Sequence, residues 1–199
     1  MNEITLHQPL LLDDVPLSSR RSFLKAGALS AATLCGVLPP SVFAQTNDFW
    51  SLPRTLWLQR PASNETVRET YWYDGKLHEP GYRAICMLLR DVQAGQAVAM
   101  DIRLLDILRG VQGWLEAYDK SRPLITTSGY RSPRTNFRTE GAAQNSKHPR
   151  GQAWDGRIEG VSTLNLAKFG EYLSGGGVGF YQGKGFVHLD SGNLRTWRG

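Results

Sequence analysis

The chain has 199 residues, 41% of them hydrophobic and 21% charged, and carries a formal net charge of +5. The basic residues form no run or stripe, so nucleic acid is not implied, while the balance suits an anionic partner such as cell wall. No repeat or low-complexity tract interrupts it.

The first residues are not fold. Ser19 to Lys25 read S-R-R-S-F-L-K, a Pro-interrupted apolar stretch follows from Ala26 to Val42, and small residues close it at Ala44. These are the parts of a removable secretory signal, and the paired arginines point to the twin-arginine route. The apolar run is too short for a spanning helix, which needs about 20 apolar residues. Leu34 before Cys35 argues against a lipoprotein. The expectation is a leader over residues 1–44 and a single domain over 45–199, exported to the periplasm without a stable membrane anchor. The acids Glu3, Asp13 and Asp14 offset Arg20, Arg21 and Lys25, so removal leaves the net charge unchanged. Cys86 then remains alone in the apolar run Ala84–Leu89, where a buried, inert thiol is expected.

Arg54–Arg60 alternates with Leu56 and Leu58 on one face, and Glu65–Tyr73 follows Pro61-Ala62-Ser63-Asn64; Asp74-Gly75 closes this hairpin signal. Helical spacing of Ile85, Leu88, Leu89 and Val92 predicts a helix over Gly81–Gln93. A longer helix is predicted from Asp101, its N-cap, to Tyr118, with Ile102, Leu105, Leu108, Val111 and Leu115 on one stripe. Leu124–Thr127 reads as a short strand entering Ser128-Gly129-Tyr130-Arg131-Ser132, and a polar loop runs from Pro133 to Arg150. A strand over Ala153–Ile158, a helix capped by Ser162 and running to Leu173, and a terminal hairpin of Val178–Tyr181 with Phe186–Asp190 complete the chain. The fold class is α+β, with helices packed against a small antiparallel sheet.

His78, His148 and His188 are the histidines beyond the leader. His148 is followed seven positions on by Asp155, with Pro149-Arg150-Gly151 as a turn between them. The strand period of two puts Val187 and Leu189 in the core and Phe186, His188 and Asp190 on the opposite face. Two imidazoles and a carboxylate make a first shell for zinc that leaves a position for water. Spacing alone also permits a structural histidine on a strand.

Ser146-x-His148-x-x-Gly151-x-Ala153-x-Asp155, a later Val187-His188-x-Asp190, and the upstream Ser128–Ser132 turn together resemble the signature of LAS-type zinc peptidases. Tyr73-Asp74-Gly75, the helix after Asp101 and Gly175–Tyr181 narrow the resemblance to the YcbK-like (MepK-like) exported murein endopeptidases, over about Arg54 to Trp197. That resemblance implies a D-Ala-D-Ala peptidase-like fold, zinc held by His148, Asp155 and His188, and hydrolysis of peptide cross-links in peptidoglycan. It matches Arg131 to the arginine that faces the substrate carbonyl or its oxyanion; the alternative is an arginine that pins its own loop. The pattern departs at the general base. Relatives often carry Glu, Asp or His two or three residues before the last ligand, where this chain has Phe186 and Gly185. Asp190 is then either an outer acceptor that orients His188 or the proton acceptor, with Glu140 and Glu159 as weaker candidates for the base. A non-catalytic peptidoglycan-binding module on the same fold stays open as the alternative. Trp154 either lines the groove or packs beneath it. Gly156, in place of a bulky apolar residue, is expected to loosen that side of the site.

Overall fold

A computed structural model describes residues 49–199 apart from 142 and 144, so the leader expected over 1–44 lies outside the described residues. The expected first hairpin pairs β1 (Arg54–Arg60) antiparallel with β2 (Glu65–Tyr73). Asp74 and Gly75, both at positive φ, then turn the chain into the two-residue β3 (Lys76–Leu77). An Asp-Gly pair suits this because a primed turn needs positive φ at both central residues.

α1 spans Glu79–Leu88 and stops well short of Gln93. The physical reason lies at Asp91, whose backbone exchanges hydrogen bonds with Gln96 at 2.9 and 3.1 Å. Its carboxylate accepts from the N–H groups of Ala94 and Ser132 at 3.1 and 2.8 Å. A residue engaged in that way cannot continue a helix, and Val92 falls outside the apolar stripe at 43% exposure. α2 (Ile102–Glu116) follows the predicted stripe, and the Asp101 side chain accepts from the Arg103 N–H as its cap. Then come β4 (Leu124–Ser128), α3 (Pro133–Arg138), β5 (Ala153–Arg157), α4 (Thr163–Leu173, capped by Ser162), β6 (Gly177–Tyr181), β7 (Phe186–Asp190) and β8 (Arg195–Arg198). The stretch 133–150, expected as a loop, holds α3 and a 3-10 turn at His148–Arg150.

The α+β class stands, but the sheet is wider than expected and mixed. Eight strands run in the order β3-β2-β1-β4-β5-β7-β6-β8. Most neighbours are antiparallel, whereas β1 with β4 and β6 with β8 are parallel. The helices α1, α2 and α4 pack on the sheet and bury Leu56, Leu58, Tyr71, Trp154, Val178, Val187 and Leu189 against Leu104, Leu108 and Phe169. Trp114 and Phe169 stack at 4.5 Å between α2 and α4. Alternation along the strands then directs Asp155 and His188 to the other side of the sheet. There the 3-10 turn at His148 lies against β5. Among the described residues, no helix is long and apolar enough to cross a membrane.

Candidate metal centre

β5 and β7 are neighbours, and their register sets Asp155 directly opposite His188. His148 is delivered by the loop that leaves β4 and returns at β5. Gly151, at φ 65°, ends the 3-10 turn by donating its N–H to the His148 carbonyl. A side chain there would sit 2.8 Å from the Ala99 carbonyl, so the turn needs glycine on both counts. Ser128 lies opposite Asp155 across β4 and β5, which places the following Gly129-Tyr130-Arg131 turn at the same spot.

The sequence-predicted ligands come together. His148 Nε2 lies 3.3 Å from His188 Nδ1 and 3.2 Å from Asp155 Oδ1, and His188 Nδ1 is 2.7 Å from the same oxygen. All three residues are buried, and among the described residues they form the one cluster able to hold a metal ion. The remote ring nitrogens are both occupied. Nδ1 of His148 contacts the Gly129 carbonyl at 2.6 Å, and Nε2 of His188 contacts Asp190 Oδ2 at 3.0 Å. With each remote N–H donating outward, Nε2 of His148 and Nδ1 of His188 present lone pairs to each other and to a carboxylate oxygen. Three acceptors pointed at one spot repel unless a proton or a cation lies between them. Zinc bonds to nitrogen and oxygen of about 2.0–2.2 Å with tetrahedral angles require ligand atoms about 3.3–3.5 Å apart. The His148–His188 separation of 3.3 Å matches, the His148–Asp155 one of 3.2 Å falls just short, and the third is a direct imidazole–carboxylate hydrogen bond that an ion would open. The donor set fits zinc.

The outer contacts are charged on one side and neutral on the other. The outer oxygen of Asp155, Oδ2, is held by Arg131, whose Nε also donates to Ser128 Oγ at 2.8 Å. These contacts leave over the second terminal nitrogen, Nη1, on a side chain that is 15% exposed. Asp190 has no exposed surface and is enclosed by donors: Arg195 at 2.6 and 3.1 Å, the Gly192 N–H at 2.8 Å and the Gly177 N–H at 3.3 Å. Burial works against charge on both aspartates, but His148 and His188 beside Asp155, and His188 and Arg195 beside Asp190, hold both carboxyls well below the usual range. Burial also opposes charge on His188. There the carboxylates of Asp155 and Asp190 win, and its pKa is raised. Burial decides for His148, whose pKa is lowered.

The other candidates lie elsewhere. His78 is exposed, with Nδ1 3.0 Å from the Thr70 carbonyl. The Glu140 side chain is exposed, and Glu159 is exposed beyond the end of β5, where Arg122 holds its carbonyl. Trp154 is fully buried on the helix side and donates to Thr126 Oγ1 at 3.0 Å, so it packs beneath the site and does not line it. The expectation of a loosened site at Gly156 is corrected. A Cβ at that position would stand 2.1 Å from the Trp154 indole, which already fills the space a larger residue would take. Cys86 is buried as expected, its thiol pushed up by burial.

Two contributors were not read from sequence. The Gly129 carbonyl that fixes His148 carries no side-chain signal, although it sits within the Ser128–Ser132 turn. The strand β8 is the other: Arg195 reaches Asp190, and the Trp197 ring lies 5.2 Å from that of His188 while its Nε1–H donates to Tyr181 at 2.9 Å.

This chain matches the family model described as "Peptidoglycan L,D-endopeptidase MepK" over residues 50–197. The peptidoglycan L,D-endopeptidase MepK of Escherichia coli strain K12 is 34% identical over 187 residues, covering 90% of this chain and 97% of that protein. The protein of the same name from Shigella flexneri gives the same values. A probable peptidoglycan L,D-endopeptidase MepK of Haemophilus influenzae is 30% identical over 185 residues, covering 91% of this chain and 96% of its own length. A match over almost all of the described residues, with relatives covered nearly end to end, means that the chain belongs to the MepK family of peptidoglycan L,D-endopeptidases.

Proposed function

We propose that the chain is a zinc-dependent endopeptidase that hydrolyses peptide cross-links in peptidoglycan, of the L,D type named for its relatives. The observation that carries this reading is the convergence of His148 Nε2, Asp155 Oδ1 and His188 Nδ1 at 2.7–3.3 Å, with both remote ring nitrogens already engaged. Bound zinc supplies Lewis acidity and lowers the pKa of a coordinated water to about 7.

The chain's residues then have distinct tasks. His148 and His188 offer neutral imidazole nitrogens whose direction is fixed from behind by Gly129 and Asp190. Asp155 would offer Oδ1 to the ion, while its Oδ2 is held by Arg131. Arg131 is therefore tethered within the site, and its remaining Nη1 is suited to stabilise negative charge developing on the scissile carbonyl oxygen. Of the roles open to Asp190, orientation is the one its surroundings favour. It lies behind the His188 ring, on the nitrogen turned away from the ion, with no surface open to a reacting water. Export by the twin-arginine route, cleavage after Ala44 and action in the periplasm complete the proposal and rest on residues 19–44 alone.

The test is digestion of purified sacculi by residues 45–199 loaded with zinc, followed by chromatography of the soluble fragments. Cleavage at L,D bonds that stops with chelator and returns with zinc is expected. Binding to sacculi without release of fragments would sink the enzyme reading in favour of a binding module. Release that persists with chelator would remove the metal from the reaction.

A further inference from the structure

Asp190 orients His188, but a carboxylate cannot orient anything unless its own plane is fixed. The terminal torsion of an aspartate is broad and two-fold, so contacts to a single oxygen leave the plane free to turn. The backbone N–H groups of Gly192 and Gly177 both go to Oδ1. The contact that spans both oxygens is Arg195, with Nη1 3.1 Å from Oδ1 and Nη2 2.6 Å from Oδ2. Such a fork fixes the plane as well as the position of a carboxylate.

The surroundings keep the fork in place. Arg195 and Trp197 are two apart on β8 and share a face, and the Arg195 guanidinium lies 4.9 Å from the Trp197 ring centre. That ring is anchored to Tyr181 and rests against His188. A Cβ on Gly177 would stand 2.4 Å from Arg195 Nη1 and 2.5 Å from Asp190 Oδ2, so the bare backbone of that glycine leaves the room the fork occupies.

We propose that Arg195 is a positioning residue of the metal centre, holding the Asp190 carboxylate so that it receives the His188 Nε2–H and turns Nδ1 onto the ion. Arg195 and Arg131 thus hold the two aspartates on either ring nitrogen of His188, Arg195 through both oxygens of Asp190 and Arg131 through Oδ2 of Asp155. The inference rests on the proposed metal-ligand roles of His148, Asp155 and His188.

The test measures zinc affinity by competition with a chromogenic chelator and the visible d–d spectrum of the cobalt(II)-substituted protein. Loss of a partner behind a metal-bound histidine weakens metal binding by about 10- to 100-fold. Arg195→Met is expected to fall in that range with a changed cobalt spectrum, and Arg195→Lys to recover part of the affinity without the full fork. Gly177→Ala, whose Cβ would crowd both Arg195 Nη1 and Asp190 Oδ2, should lose affinity in the same direction, and in an Arg195→Met background that loss should shrink to the part that falls on Asp190 directly. In an Asp190→Asn background Arg195→Met should cost nothing further, because it acts through that carboxylate. Arg198→Met, on the same strand and exposed, controls for the lost charge. Zinc affinity within twofold of the parent in a folded Arg195→Met, or losses that multiply in the double variant with Asp190→Asn, would overturn the assignment of Arg195. A parent chain that fails to bind zinc would overturn the metal reading itself, and this one with it.

Discussion

His148 and His188 face the same point, but the regions that carry them are built differently. His148 stands on a loop and is steered by a backbone carbonyl, so its mounting is neutral and depends on how closely the chain packs upon itself. His188 stands on a central strand between Asp155 and Asp190, each of which has its own arginine. Its mounting is a chain of charges drawn from the turn after β4 and from β5, β7 and β8. A loop can be shaped by glycines at little cost in side-chain chemistry. A ring on a strand has its backbone already committed to the ladder, so side chains must do the steering.

The largest effects should come from removing the rings themselves. His148→Ala and His188→Ala are both expected to lose more than about 100-fold in zinc affinity, beyond the range of an outer partner. The metal-free forms should part company. His188→Ala leaves Asp155 and Asp190 buried without the imidazole between them, and breaking a buried charged pair costs about 3–5 kcal/mol. His148→Ala removes a ring whose principal donor contact is one carbonyl, a loss of about 1–3 kcal/mol. Urea unfolding of both variants with chelator present measures the gap. Equal destabilisation would erase the distinction between the two mountings.

The next effect probes the loop alone. A Cβ at position 129 would stand 2.4 Å from the Leu89 carbonyl oxygen and 2.9 Å from the Leu89 Cβ. Both are parts of the molecule that cannot swing away, and the Tyr130 N–H needs that carbonyl at 2.7 Å. Gly129→Ala is expected to destabilise the fold by about 1–3 kcal/mol, as overpacking does, and to weaken zinc binding by displacing the acceptor of His148. Thermal unfolding and chelator competition read the two effects. Unchanged zinc affinity in a destabilised protein would mean that His148 does not depend on the Gly129 carbonyl.

How much of this was legible in the sequence follows from the same contrast. The α2 stripe, the side-chain helix caps at Asp101 and Ser162, and the Leu56/Leu58 and Val187/Leu189 phases rest on local sequence signals, and they match the structure. The triad of His148, Asp155 and His188 was legible through the resemblance of its motif to LAS-type zinc peptidases, since the Pro149-Arg150-Gly151 turn and the strand period alone also permit a structural histidine. The contacts behind them were hidden for physical reasons. A carbonyl such as that of Gly129 has no residue type to announce it. β8 is four residues long and polar, and it follows β7 by a short connection to pair parallel with β6, so Arg195 and Trp197 carried no periodic signal. The early end of α1 depended on Asp91 meeting Ser132, a contact between residues 41 apart that only the folded chain defines. Gly156 was misread for a similar reason, since the volume it lacks is supplied by Trp154, two residues earlier on the same face.

The smallest effect is electrostatic and separates the two rings without a mutation. In the zinc-free protein the pKa of His188 is raised above 6.5, because Asp155 and Asp190 outweigh burial, while that of His148 is lowered by burial. The signs then oppose each other. The stabilising contribution of His188 is full below pH 6.5, the unfolded value, and is lost as pH rises through its folded value. His148 stays neutral in the fold, so below pH 6.5 the unfolded state takes up a proton that the native ring refuses, and stability falls. Zinc must also displace the proton on His188 Nδ1, so affinity should weaken as pH drops through that raised value while the His148 ring remains neutral. Ring-proton NMR titration of the metal-free chain is expected to show His188 protonated where His148 is still neutral. Two rings titrating together near pH 6.5 would mean that the charged mounting and the neutral one do not differ in the way their hydrogen bonds imply.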